Sequence, residues 1–469
     1  MGMFFKKGEQ PIRAGVYQRY FNEGSGTISS YLSGVCAVLF KASFGPLEPR
    51  VFSSAEEFRK IYGAAGTTDA VTYAFSGGAT KVIATRLGSD GEYGFINITD
   101  KESNSAGKLK LKFIGARSLS CTYKAKLGSQ DTKLLAIYEN GSELEKIELK
   151  VEGENDVDAL AKGLKSSQFL IFEKESNYTG KGTVESFAGK SFTGGKDPVI
   201  TNNDYSAALV KLEAHAFNTI CVDTEDNSVH LLLSSYVDRI YNDGKLSFCV
   251  IGETSTIDFS DRLAHAKSYN NPKVIYVGHS TKLSDETILE GYKAAALLAG
   301  RFAAMDSTES ATHQVIPGAA SIPERLTNAQ YEDAVKCGMI VFSESTDSSI
   351  WVDAGITTLV SPTGEDDEGW KKIKRLKVRF ELMERLNNRV EPILTRIPNN
   401  DDGRANIIQI GNDEIQKMIA EGKLGSESTM EIDAENTPTG DTSWFKIHAY
   451  DLDNMEKIML AYGFKYEVN

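Results

Sequence analysis

The stretch that decides the reading of this chain is GWKKIKRLKVRFELMERLNNRV, residues 369–390, which follows the acidic run Glu365, Asp366, Asp367 and Glu368. Acidic side chains suit a helix N-terminus, so the spacing predicts a helix from Gly369 to about Val390. At 3.6 residues per turn, Trp370, Ile373, Leu376, Phe380 and Met383 share one side, which should pack on the protein's own core. The opposite side carries Lys371, Lys374, Arg375, Arg385 and Arg389, with Val378 and Leu382 among them. Two readings of that side stand: a solvated basic face with two isolated apolar residues, or a docking face for an acidic partner.

Downstream, Ser443–Tyr450 (SWFKIHAY) and Lys457–Val468 (KIMLAYGFKYEV) are aromatic-rich and partly alternating, as strands are, with DLDNME (451–456) between them. An isolated pair of strands at a terminus points to assembly. The N-terminus has a similar character. Residues 1–22 carry Lys6, Lys7 and Arg13, then Val16, Tyr17, Tyr20 and Phe21, and lead into Gly24-Ser-Gly26. A strand this short must add to a sheet of its own or another subunit.

Between the ends, the period of the apolar residues changes twice. Ser54-Ala-Glu-Glu57 fits a capping box, with Gly63 as the stop of the helix it opens. From 88 to 197 the pattern alternates: Leu109, Leu111 and Phe113 with Lys110 and Lys112, then Ile147, Leu149 and Val151 with Glu148, Lys150 and Glu152. Asn140-Gly141 is a hairpin turn signal, and Asp156 to Lys165 supplies one short helix. After Asp204, short apolar strands (219–222, 247–251, 274–277) alternate with helical stretches (231–241, 256–269), which implies a largely parallel sheet covered by helices. A longer helix is expected over 285–305, its Ala294-Ala-Ala-Leu-Leu-Ala-Gly300 run permitting close packing. Thr327-Asn-Ala-Gln330 opens another that ends near Gly338, and 357–360 is a candidate closing strand.

The 469 residues include 52 Lys and Arg against 65 Asp and Glu, a net charge of −13 that argues against a nucleic-acid binder. No apolar run reaches membrane-spanning length, and the MGMFFKK start lacks a signal peptide's apolar core. Cys36, Cys121, Cys221, Cys249 and Cys337 are scattered without Cys-x-x-Cys spacing and read as buried free thiols. Catalytic motifs are missing. Gly278-His-Ser280-Thr-Lys282 resembles the opening of a nucleophile elbow, but Lys282 stands where that turn needs glycine. The six histidines form no His-x-x-x-His pair, and no phosphate-binding Gly-x-x-x-x-Gly-Lys-Ser/Thr loop is present. Asp223 to Ser228 lacks a calcium loop's glycine and distal glutamate and reads as a helix-capping turn, and Asp401-Asp402-Gly403 as a plain turn. No enzyme, metal or cofactor is expected.

Taken together, these pieces resemble the tail sheath proteins of contractile phages and of related phage-like particles such as contractile bacteriocins. The likeness rests on the Gly369-Trp-Lys-Lys-Ile373 helix start, Arg396 through Arg404-Ala-Asn-Ile-Ile408, and Asp453-Asn-Met-Glu-Lys-Ile458. At the front of the chain it rests on Ala14-Gly-Val-Tyr17 as a short N-terminal strand, Phe44-Gly45-Pro46 with Phe58 to Gly63 as the first helix, and Phe75-Ser-Gly-Gly78 leading into Val82 to Arg86 as the first core strand. With 207–360 it spans most of the chain outside 88–200.

The resemblance implies a multidomain α/β and α+β chain: an N-terminal arm (1–22), a helix-covered, mostly parallel core sheet (23–87 plus 198–364), an inserted β-rich domain (88–197) facing outward with few core contacts, a C-terminal α+β domain (365–454), and a C-terminal arm strand (455–469). It implies terminal strands exchanged between subunits: Val16, Tyr17, Tyr20, Phe21, Ile458, Leu460, Tyr462, Phe464 and Tyr466 donated, Phe445 and Ile447 accepting. It also implies a homo-oligomer of stacked rings in a helical sheath around an inner tail tube, and the helix's two faces put Lys371, Lys374, Arg375, Arg385 and Arg389 against that tube. Baseplate and tail terminator proteins would be the other partners, with no nucleic-acid contact and no membrane insertion. Such particles assemble in the bacterial host cytoplasm, and contraction drives the tube through a target envelope. A baseplate or other non-contractile structural component is the alternative.

Overall fold

The computed structural model describes residues 3–4, 17–18, 31–129, 131–151, 153, 155–180, 182–364 and 366–466. At its centre lies a seven-stranded sheet in the order Met339–Ile340, Val274–Val277, Phe248–Gly252, Thr219–Cys221, Val35–Phe40, Lys81–Arg86, Arg50–Phe52. Every neighbouring pair is parallel except the last. The first core strand in the chain is therefore Val35–Phe40, not the stretch beginning at Val82. Its six residues are all buried because helices cover both faces of the sheet, and alternate residues serve opposite faces.

On one face, Cys36, Val38 and Phe40 meet the helices Asp69–Gly77 and Gly291–Ala304. On the other, Val35, Ala37 and Leu39 meet Asn202–Leu212, Asn227–Asn242 and Phe259–Tyr269. The small-residue run packs as expected: a Cβ on Gly300 would sit 1.9 Å from the Ala74 carbonyl oxygen, so the two helix backbones touch only because that side chain is absent. This helix begins at Gly291 rather than 285, because the residues before it form the strands Thr281–Leu283 and Ile288–Leu289, which Ala319–Ser321 from beyond the helix joins in a small antiparallel sheet. Residues 357–360 do not extend the main sheet; its edge is Met339–Ile340, and Thr358 N–H only caps the Val274 carbonyl. The Thr327–Gln330 capping box is formed, and the helix it opens ends at Gly338 with φ 73°.

The insert is β-rich, as its alternation predicts. A three-stranded sheet (Leu170–Lys174, Ser105–Leu111, Phe95–Thr99) and a four-stranded sheet (Ser142–Lys150, Thr132–Glu139, Ser120–Ala125, Phe187–Ser191) enclose their own apolar cluster with helix Asp156–Gly163. Asn140 and Gly141 both have positive φ, as the two-residue hairpin requires. Its seam with the core is more elaborate than the sequence suggests. Phe44, from the core, stacks against Phe169 inside the insert. Buried Arg86 donates to the carbonyls of Ala42, Gly45 and Ile114, and Arg117, paired with Glu139 within the insert, reaches across to Ile61 O.

All five cysteines are free and four are buried. Ser280 is buried, and the chain continues from it into a strand rather than a helix, so no nucleophile elbow exists. Among the described residues no cluster of metal ligands occurs, and no helix is long and apolar enough to cross a membrane.

Candidate assembly interface

The decisive helix forms as a 3₁₀ turn, Glu368–Lys371, capped by the Asp367 carboxylate on Gly369 N–H, followed by an α-helix, Ile373–Val390. Ile373, Leu376 and Phe380 enter the core, whereas Met383, assigned to the same stripe, is exposed. The opposite face is covered by the chain's own C-terminal module. Asp401–Ala420 is a twenty-residue helix, not the turn read at Asp401-Asp402-Gly403. Asn400 caps it by accepting from Gly403 N–H, and the two aspartates form its acidic first turn. Its Ile407, Ile415 and Met418 close over Val378, Leu382 and Leu386.

The basic residues are accordingly paired within the chain. Lys374, 2% exposed, donates to the Leu452 carbonyl, and Arg375 binds both oxygens of Asp451 at 2.9 and 2.6 Å. Arg379, stacked on Trp370, adds a bond to the same carboxylate at 2.9 Å. Burial alone would raise Asp451, but the hydrogen bonds from Arg375 and Arg379 outweigh it and hold the carboxyl below its usual range. Arg385, 5% exposed, bridges Glu381, Glu414 and Glu421 at 2.5, 3.3 and 2.7 Å. Lys423 joins Glu381 at 2.7 Å, and Ser307 from the core donates to the same carboxylate. This buried network ties core to C-terminal module. Close by, Lys377 donates to the Phe302 and Met305 carbonyls at the end of helix Gly291–Ala304, and burial pushes it down to about 8. Of the five tube-facing candidates, Lys371 pairs locally with Glu368, and only Arg389 is exposed, 3.8 Å from Glu414.

Phe445 and Ile447, expected to accept a donated strand, lie in the strand Phe445–His448. It pairs antiparallel with Thr429–Ile432, a strand the sequence does not announce, in a separate two-stranded sheet; Asn412 occupies the outer edge of Thr429–Ile432 by bonding Met430 N–H and carbonyl, whereas the outer edge of Phe445–His448 has no backbone partner among the described residues. Beside Ile447 runs an apolar groove of about 640 Å³ lined by Trp370, Val378, Leu382, Leu386, Val390 and Leu424.

The C-terminal arm leaves this groove's rim. After Asp451 the described residues have no regular secondary structure, so 457–466 is no strand within this chain. Ile458, Leu460, Tyr462, Phe464 and Tyr466 are all exposed, Phe464 to 93%. At the other end, Met3–Phe4 pairs in parallel with Tyr17–Gln18, while Val16, Tyr20 and Phe21 lie outside the described residues, as does Val468.

Residues 199–358 match the family model of the phage tail sheath protein central domain. The uncharacterized protein YqbK of Bacillus subtilis (strain 168) is 26% identical over 267 residues, 55% of this chain and 54% of its own length. The chain thus spans about half the length of the curated relatives it matches. The sheath tail protein of Desulfitobacterium hafniense superposes with TM-score 0.70 at 20% identity, over 93% of this chain and 100% of the other. That of Listeria innocua gives 0.68 at 19%, over 90% and 96%. The anti-feeding prophage helical sheath in its contracted state gives 0.53 at 11%, over 97% and 99%. At these identities the structural likeness is one of fold. The matched family and folds are those of sheath proteins, not enzymes.

Proposed function

We propose that this chain is the structural subunit of a contractile tail sheath in a phage tail or phage-like particle. In this reading it polymerises helically around an inner tail tube and contracts to drive that tube through a target envelope, without consuming a nucleotide. The observation that carries it is the C-terminal arm: five large apolar side chains at alternate positions, exposed in the single chain, beside a strand with an open edge and an apolar groove. An extended segment places residues i, i+2 and i+4 on one face, so Ile458, Leu460, Tyr462, Phe464 and Tyr466 suit the groove of a neighbouring copy while the arm's backbone extends the Phe445–His448 edge. Burial of each such side chain is worth roughly 1.5–3 kcal/mol, enough in sum to offset the association cost of about 4–15 kcal/mol. The N-terminal segment with Val16, Tyr17, Tyr20 and Phe21 would be exchanged likewise.

In the sheath, baseplate and tail terminator proteins bound the polymer, which forms in the host cytoplasm. Tube contact on the face of Lys371, Lys374, Arg375, Arg385 and Arg389 narrows to Arg389 with Lys371, since the other three are engaged within the subunit. The test is negative-stain electron microscopy of the full-length protein beside a version truncated after Asn454. Long hollow cylinders from the first and dispersed subunits from the second are expected. Closed rings from the full-length chain would instead support the baseplate component, and cylinders from both would remove the arm from the assembly.

A further inference from the structure

The exposed arm does not begin where the folded module ends. Between Tyr450 and Lys457 the chain is held by two sets of charges of different depth. The inner set is Asp451, whose side chain is only 8% exposed and is gripped by Arg375 and Arg379, with Leu452 N–H donating to Lys423 O at 3.0 Å. The outer set hangs on one lysine: Lys372 binds Asp453 at 2.6 Å and Glu456 at 2.9 Å, and Ser310 from the core donates to Glu456 at 2.7 Å. Met455 and every residue from 458 to 466 are exposed.

We propose that residues 453–456 are a releasable tether: closed, the outer set fixes the arm's pivot at Lys457; open, the pivot retreats to Leu452, which stays held by Lys423 and Lys374, and the arm gains reach. About four extended residues at roughly 3.3 Å each add ~13 Å, a length between two and three strand spacings. The outer pairs are accessible to solvent and therefore screened by salt, whereas the buried inner carboxylate is not. Inner anchorage thus persists while the arm's length changes. The tether rests on reading the arm as a donated strand for its purpose only; its existence is a property of the unassembled subunit and is measured there.

The experiment is electron paramagnetic resonance of nitroxides placed singly at Met455→Cys, Phe464→Cys and Tyr450→Cys in full-length, unassembled protein carrying Cys337→Ser, the one native thiol that is not buried. At low salt the label at 455 is expected to be slow and that at 464 fast. Lys372→Ala, or high salt, should convert 455 to the fast line shape of 464 and leave 450 slow. A label at 455 already as fast as 464, or unmoved by Lys372→Ala, overturns the tether. Release of 450 together with 455 also overturns it, because the inner anchor would then not be independent. Cylinder formation is scored separately by microscopy, so a failed tether and a failed sheath reading give different results.

Discussion

Helix Ile373–Val390 and the arm beyond Glu456 lie within a hundred residues of each other and end in opposite states. The helix arrives with an unusual excess of charge, and the chain completes it: Asp451, Glu414 and Glu421 come from its own C-terminal module. The arm arrives with an excess of apolar surface, and the described residues of the chain leave it exposed. A buried charge left without a partner costs several kcal/mol, so the ionic seam must be closed within the subunit before assembly. Exposed apolar side chains carry no such local penalty, and their burial can await a neighbour. The difference separates what holds one subunit together from what remains available to join it to others.

The strongest way to break that comparison is to open the seam. Glu381→Gln removes the charge shared by Arg385, Lys423 and Ser307. It should lower unfolding stability by about 1.5–3 kcal/mol, because two buried cations each lose their most buried counter-charge while Glu421 still pairs with both and Glu414 with Arg385. Deleting 458–469 should change stability by no more than about 0.5 kcal/mol. Urea midpoints of the two variants against the parent measure both. A large loss on deleting the arm would show that the arm is already docked in the isolated subunit.

The two regions also differ in how legible they were. The core sheet could be read because a parallel sheet covered on both faces is written as short apolar runs separated by helical periods, as at 248–252 and 274–277. Asn140-Gly141 gave the insert's hairpin for an equally local reason. The two faces of helix Ile373–Val390 were visible from periodicity, but periodicity names a face and not what covers it. The covering residues lie about 30 to 75 positions downstream, a separation no local pattern spans. Helix Asp401–Ala420 was missed because Asp-Asp-Gly imitates a turn; the signals that would have found it are the Asn400 cap and the apolar positions 407, 411, 415 and 418. Strand Thr429–Ile432 has four residues and too little alternation to stand out. The arm was legible as apolar and alternating, and its exposure required the structure.

A smaller effect sharpens the boundary between seam and core. His279 is fully buried, its Nε2 against the Glu324 carbonyl and its Nδ1 accepting from Phe342 N–H, so the neutral ring satisfies both partners. Burial lowers its pKa, as it does that of His230. A folded-state value below the unfolded one, near 6.5, means the unfolded chain binds more protons as the pH falls, so stability present above about pH 6.5 declines below it. Glu384, raised by burial, works in the opposite sense in acid. Urea midpoints should fall between pH 7.5 and 5.5, with His279→Gln flattening the slope and arm deletion leaving it unchanged. A slope that disappears with the arm would move the pH-sensitive element out of the core.

The smallest expected change in subunit stability bears on the tube. Reversing Lys374 or Arg375 would confound folding with docking, since one is buried and the other binds both oxygens of Asp451 through its Nε and one terminal nitrogen. Arg389 is the clean probe: exposed, 3.8 Å from Glu414, and outside the strong part of the network. Only the arginine end of this long contact is exposed, so losing it costs about 0–1 kcal/mol, and Arg389→Gln, which sets no like charge beside buried Glu414, should leave the urea midpoint nearly where it was. If this face meets an acidic tube, the same substitution should reduce tube-templated cylinders seen by microscopy while arm-driven association of free subunits is preserved. Equal loss of both would place Arg389 at a subunit–subunit contact, and loss of neither would leave the helix face a purely internal surface, with all partner contact carried by the arms.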